Sequence, residues 1–221
     1  MTDPLTPRQS PPPPTFPPST GKTFVVGITG ASGAAYSARL LDQLLTLGCT
    51  AHLIITEYGK RLLADEMNIS NISFDTLCPH LAADQHAKQY QQRLIIHPNK
   101  DVGALPATGS FLHDGMIILP CSSTSMGAIA TGTGSNLLTR AAAVTLKERR
   151  PLIICHRETP LNLIDINNMQ TLTMAGAIIA PTNPGLYLNP QSINDLIDFI
   201  TGKALDLLGV NHTLDTRWTG S

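Results

Sequence analysis

The chain is short of charge: only 14% of its 221 residues are Asp, Glu, Lys or Arg. Fifteen basic residues face 16 acidic ones, so no basic face is available for nucleic acid or an anionic membrane surface. Aromatic residues are also scarce, at 5%, with a single Trp. There are four cysteines, Cys49, Cys78, Cys121 and Cys155, and none forms a CxxC pair. Neither they nor the seven histidines have the spacing of a metal site, so no metal is expected. Lone thiols after apolar runs suit buried cysteines in a reducing cytoplasm. No basic-then-apolar leader opens the sequence, and no apolar run reaches the length of a membrane span. Hydrophobic residues make up 42% of the chain. So little charge on so apolar a chain predicts surface buried between subunits of a homo-oligomer.

Proline is unevenly spread. Residues 1–21, MTDPLTPRQSPPPPTFPPSTG, form a Pro-rich tail that favours extended polyproline II over packing. From residue 22 onward, short apolar runs alternate with helical periodicity. Strands are predicted at 23–29, 51–56, 93–98, 115–122, 151–157 and 176–181. Helices are predicted at 33–47, 58–67, about 80–90, 123–130, 136–147, 162–175 and 192–209. This βαβ alternation predicts one α/β domain, a doubly wound and mostly parallel sheet, over residues 22–210. Residues 211–221 are left as a C-terminal tail.

The most informative stretch is FVVGITGASGAAYSARLL, residues 24–41. A buried strand runs into a small-residue turn and then a helix. The glycines at 27, 30 and 33 fit neither a GxGxxG fingerprint nor a Walker A loop. Backbone amides at a helix N-terminus, with the Thr29 and Ser32 hydroxyls beside them, suit a phosphate. An ordinary strand–turn–helix packed with small residues has the same pattern. Four other strand ends are polar too: Thr56, PCSSTS at 120–125, HRETP at 156–160 and PTNPGLY at 181–187. Ligands of open α/β sheets bind beyond the carboxyl ends of the strands, so five polar strand ends predict one binding rim. Arg157 and Glu158 read equally as a surface ion pair or as a carboxylate held at a useful pKa. Arg149 and Arg150 read as helix-end cations.

The segments GITGASGAAYSARLL, LPCSSTSMGAIATG, NLLTRAAAVTLKERRPLIICHRETPL, GAIIAPTNPGLY, NPQSINDLIDF and TRW resemble the flavin prenyltransferase family of the UbiX type. The resemblance covers about residues 22–220 and is weakest at 60–110. It implies that the sheet is flavodoxin-like or Rossmann-like, with FMN as cofactor and acceptor, dimethylallyl phosphate as donor, and prenylation at N5 and C6 of the reduced flavin. It further implies a homododecamer and a UbiD-type decarboxylase as recipient of the product. By the same resemblance, FMN falls to Gly30, Ala31, Ser32, Thr56, Ser122, Ser123, Thr124, Ser125 and Arg140. The prenyl phosphate falls to Thr108, Gly109, Lys147, Arg157, Tyr187 and Lys203. Glu158 would be the acid/base group, with Lys147 and Arg157 stabilising the leaving phosphate, Glu66 a further carboxylate, and Trp218 closing the site. Lys203 stands where the family usually has Arg, keeping charge but losing bidentate geometry. Thr56 replaces a usual Ser, and the middle of PCSSTS departs from the common pattern. A non-catalytic FMN-binding or delivery protein is a second reading. A flavin-dependent cysteine decarboxylase is a third, although INNMQTL at 166–172 lacks that family's Pro-x-Met-Asn-x-x-Met-Trp motif.

Overall fold

The structure is a computed structural model, described here for residues 21–217. The Pro-rich tail, apart from Gly21, and Trp218 lie outside the described residues. Six parallel strands form one sheet in the order β3-β2-β1-β4-β5-β6. They are β1 Thr23–Ile28, β2 Thr50–Ile55, β3 Leu94–Pro98, β4 Gly115–Cys121, β5 Leu152–His156 and β6 Ile178–Ile179. The chain winds outward from β1 to β3, then returns beside β1 with β4. The order therefore reverses between β1 and β4, where a doubly wound sheet opens a crevice.

Strand alternation sorts the core into two halves. Phe24, Val26 and Ile28 point to one face and Val25 to the other. On the first face, Leu40, Leu41, Leu44 and Leu45 of α1 (Ala34–Thr46) pack with Leu62 and Leu63 of α2 (Glu57–Met67). The last long helix, Ile193–Leu207, adds Ile200, Ala204 and Leu205 to this cluster. On the second face lie Ser123–Ala130, Leu137–Lys147 and Leu163–Met174. Leu138 sits over Gly27, where a Cβ would meet its Cδ1 at 3.0 Å. Gly27 thus lets this helix close on the strand end.

A short α3, Phe74–Leu77, precedes the predicted helix over 80–90, which is instead two short pieces, α4 Pro79–Ala82 and α5 Ala87–Gln91. Pro79 can only begin a helix, and the Asp84 carboxylate accepts from the amide of His86, turning the chain before α5. The remaining helices are then α6 Ser123–Ala130, α7 Leu137–Lys147, α8 Leu163–Met174 and α9 Ile193–Leu207.

The apolar surface anticipated from the low charge is concentrated on α8. Leu163 and Ile164 are 70% exposed and Met174 is 81% exposed, with Leu161 and Ile166 beside them. An exposed apolar face of this kind marks a contact surface.

Candidate functional site

The crevice is framed first by backbone. Thr29, fully buried after β1, donates its hydroxyl to the carbonyl of Pro120 at 2.9 Å and accepts from the amide of Ser122 at 2.7 Å. One side chain thereby ties the ends of β1 and β4 together. Gly59 sits directly beneath: a Cβ there would lie 2.6 Å from the carbonyl oxygen of Ile28. Only glycine lets α2 begin so close to β1, with Thr56 capping it by accepting from the amide of Gly59 at 3.0 Å.

The first turn of α1 already holds an anion. The amides of Gly33 and Ala34 donate to the Glu66 carboxylate at 3.0 and 2.8 Å. Burial raises the Glu66 pKa, but hydrogen bonds from Ser32, Ala34 and Gly33 and the charge of Arg157 outweigh it, holding the carboxyl below its usual range. At the start of α6 the side chain of Ser122 takes only the amide of Ser125. That cap uses the third amide of the helix and leaves the first two, of Ser123 and Thr124, to other acceptors at the positive helix end. An anion entering the crevice therefore meets α6 rather than α1.

Arg157 follows β5 and reaches back across the crevice, its Nε donating to the carbonyl of Ser32 at 3.3 Å. Ser32, Gly33, Glu66, Arg157 and Thr182 line one cavity of about 270 Å³. The Thr182 hydroxyl is buried there without a hydrogen-bond partner. Sequence reasoning passed over Thr182; its only signal was its place in the PTNPGLY strand end. Glu158 is exposed beside Arg157, its carboxylate accepting from the amide of Thr159 at 3.0 Å. Behind the PCSSTS turn, His156 is buried and its Nε2 lies 3.0 Å from the Ser123 hydroxyl oxygen. Arg140 is exposed on the fourth residue of α7.

Other expected residues fall elsewhere. Tyr187 and Lys203 line a separate cavity of about 570 Å³ at the β6 edge, with Ile178, Ile179 and Phe199. Its outer wall is the C-terminal tail, which is sewn onto α9. Asp206 accepts from Arg217 and faces the buried His212 Nε2 at 3.2 Å, and Thr216 packs where Gly202 lacks a side chain.

Thr108, Gly109 and Lys147 sit at the opposite end of the sheet. Lys147 closes α7 just before β5 begins, whereas Arg157 comes just after β5 ends. Five strand residues separate the two ends, roughly 17 Å at about 3.3 Å per residue. Gly109 leaves room for the Glu148 carboxylate, which pairs with Lys147 at 3.3 Å. Arg150 is more than a helix-end cation: it donates to the carbonyls of Phe111 at 2.6 Å and Gly109 at 2.9 Å, pinning this loop. Under the loop, His52 and His97 are bonded at 2.9 Å, with Phe111 tilted over His52 and His113 beyond. Burial, then the neighbouring His97 and His113, push His52 down to about 4.

Comparison with known proteins then decides the family. The Flavoprotein family pattern matches residues 17–205. A flavin prenyltransferase UbiX of Halalkalibacterium halodurans is 44% identical over 195 residues, covering 88% of this chain and 92% of its own. The chain belongs to the UbiX-type flavin prenyltransferase family. Among solved members of this fold, AnUbiX (PadA1) in complex with FMN and dimethylallyl pyrophosphate superposes with a TM-score of 0.78 at 35% identity. That match covers 90% of this chain and 98% of the other. A dodecameric FMN-dependent UbiX-like decarboxylase from Escherichia coli O157:H7 also gives 0.78, at 31% identity, covering 90% of this chain and all of the other. This UbiX-type chain carries the doubly wound sheet expected of it. Among the described residues, no helix is long and apolar enough to cross a membrane, and no cluster of His, Cys, Asp or Glu is arranged to hold a metal.

Proposed function

We propose that this chain transfers a dimethylallyl group from dimethylallyl phosphate to N5 and C6 of reduced FMN, releasing inorganic phosphate. The observation that carries the reading is the donor set at the β1–β4 crevice. Ser32, Thr56, Ser122, Ser123 and Ser125 supply hydroxyls at the strand ends, and the first two amides of α6 lie beyond the Ser122 cap. Arg157 and a buried, unpartnered Thr182 hydroxyl lie beside it. This combination of amides, hydroxyls and cation matches a phosphate, a ribityl chain and a polar ring edge, so the residues fit FMN. Gly30, Ala31, Thr124 and Arg140 complete the flavin set.

When bound, reduced FMN would supply the two nucleophilic positions, N5 and C6. The protein's task is electrostatic. Breaking the allylic C–O bond leaves its electron pair on phosphate, and Arg157, Lys147 and Lys203 are assigned to hold that charge. Thr108, Gly109 and Tyr187 complete the donor site. Glu158, exposed at the end of β5, takes up the proton displaced from the flavin or passes one to phosphate. Glu66 keeps the turn at 30–34 in place and faces Arg157.

A single chain separates Lys147, Thr108 and Gly109 from Arg157 by the length of the sheet. We assign these to two half-sites joined between copies in a homo-oligomer, by proposal a dodecamer. The exposed apolar residues of α8 support such contacts. The tail of residues 211–221, with Trp218, is assigned to close the Tyr187–Lys203 cavity. Four buried cysteines, none in a disulfide, accord with a cytoplasmic enzyme. The product is assigned to a UbiD-type decarboxylase. A non-catalytic flavin carrier would need neither Lys147 nor Glu158, and a cysteine decarboxylase would need the motif that residues 166–172 lack.

The test is direct. Purified protein is incubated with reduced FMN and dimethylallyl phosphate, and the flavin is weighed. A gain of one prenyl unit is expected; an unchanged flavin mass with both the monophosphate and the pyrophosphate would overturn the proposal.

A further inference from the structure

His156 has no assigned role in the site as read from sequence, yet it is buried against a hydroxyl of the crevice. It is the last residue of β5 and 2% exposed. Its Nε2 lies 3.0 Å from the hydroxyl oxygen of Ser123, the first residue of α6. Asp165, 3% exposed in the first turn of α8, acts on the same ring with its charge. We propose that His156 is a positioning residue that turns the Ser123 hydroxyl into a hydrogen-bond acceptor facing the crevice. The inference rests on the FMN reading above.

The argument follows from proton counting. Burial lowers the His156 pKa, which Asp165 and Glu158 raise and Arg157 lowers, with a net downward shift. The ring is therefore neutral at pH 7 and carries one N–H. With that N–H on Nδ1, Nε2 is free to accept from Ser123, and this tautomer is part of the proposal. Nε2 is then an acceptor, and the Ser123 O–H must donate to it. With its proton committed, the Ser123 oxygen offers only lone pairs to the crevice.

The other hydroxyls of the turn are arranged differently. Ser122 spends its hydroxyl on Ser125 and its amide on Thr29, and Thr124 is exposed. An acceptor-only Ser123 cannot serve a phosphate, whose oxygens also accept. It fits an N–H of the flavin ring or an O–H of the ribityl chain. The structure thus sorts the turn: amides of α6 for the phosphate, Ser123 for the ring or chain.

The test is a double-mutant cycle on FMN affinity, measured by titration calorimetry with the full chain. Ser123→Ala and His156→Leu are each expected to weaken FMN binding about five-fold, the worth of one net hydrogen bond. Combined, they should weaken it no further, because His156 acts on the flavin only through Ser123. His156→Gln, which retains an acceptor, should bind within about two-fold of the unmodified chain. Riboflavin, which lacks the phosphate, should lose as much from Ser123→Ala as FMN does; this arm needs no His156 variant to fold. Multiplicative losses in the double variant, a Gln variant no better than Leu, or a Ser123→Ala loss confined to FMN would each overturn the inference. Failure of the unmodified chain to bind FMN would instead sink the function proposed above, and this inference with it.

Discussion

If the site is shared between copies, two inactive variants should repair each other. Lys147→Ala removes a cation at the end of α7, and Arg157→Ala removes one after β5. The strand between them holds these groups roughly 17 Å apart within one chain. Each homogeneous variant has one defect in every site and should lose most of its activity. Co-expressed in equal amounts with different tags, the two chains assemble at random. A working site then needs its Arg157 half from a Lys147→Ala chain and its Lys147 half from an Arg157→Ala chain. Each choice is satisfied about half the time, so about one quarter of sites are intact. The assay is prenylated flavin formed per protomer by doubly tagged oligomers, read by mass. Recovery near one quarter of unmodified activity is expected. Activity no higher than that of the separate variants would refute a site built from two copies. It would place Lys147 outside the reaction, since no side chain spans the sheet.

Two further outcomes follow from the electrostatics. Glu66→Gln leaves the amides of Gly33 and Ala34 with a neutral acceptor in place of a carboxylate. It should cost about 1 kcal/mol, as loss of a helix N-terminal anion does, seen as a fall in Tm of about 2–4 °C. Because the Glu66 carboxyl is held below its ordinary 4.5, its contribution is present at neutral pH and lost as pH falls through its folded value. The Gln variant should therefore lose less stability between pH 6 and 3 than the unmodified chain, and parallel curves would count against the contact. His52 works at a higher pH. Its pKa drops from 6.5 to about 4 on folding, so its contribution is full above 6.5 and is lost progressively as pH falls toward 4. His52→Gln should flatten that part of the pH–Tm curve, and an unchanged slope would show that the His52–His97 pair does not titrate with folding.

Much of the fold was legible because its signals are local. The apolar runs at 23–28, 115–121 and 152–156 are short and bounded by turn residues, as strands buried on both faces are, and the strand–helix alternation leaves a doubly wound sheet as the economical arrangement. Polar residues directly after those strands mark the rim in the sequence itself. The region 68–93 was less readable: Pro79 and the Asp84 turn break it into single turns, too short for periodicity to register. Thr182 and His156 were passed over because a lone hydroxyl or histidine has no pattern. Their meaning lies in what surrounds them.

The sequence by itself determined the class of sheet, the strand ends that carry chemistry and, through extended likeness, the family. Those depend on residue type and spacing, which the chain carries along its length. Tertiary structure decided how the parts divide. It put the Glu66 carboxylate on the first turn of α1 and Ser122 on that of α6, set Ser123 against His156, and placed Lys147 and Arg157 at opposite ends of β5. These are consequences of packing between segments distant in sequence. Lys147 and Arg157 stand ten positions apart in the chain, yet the rigid strand between them keeps them from meeting within one copy.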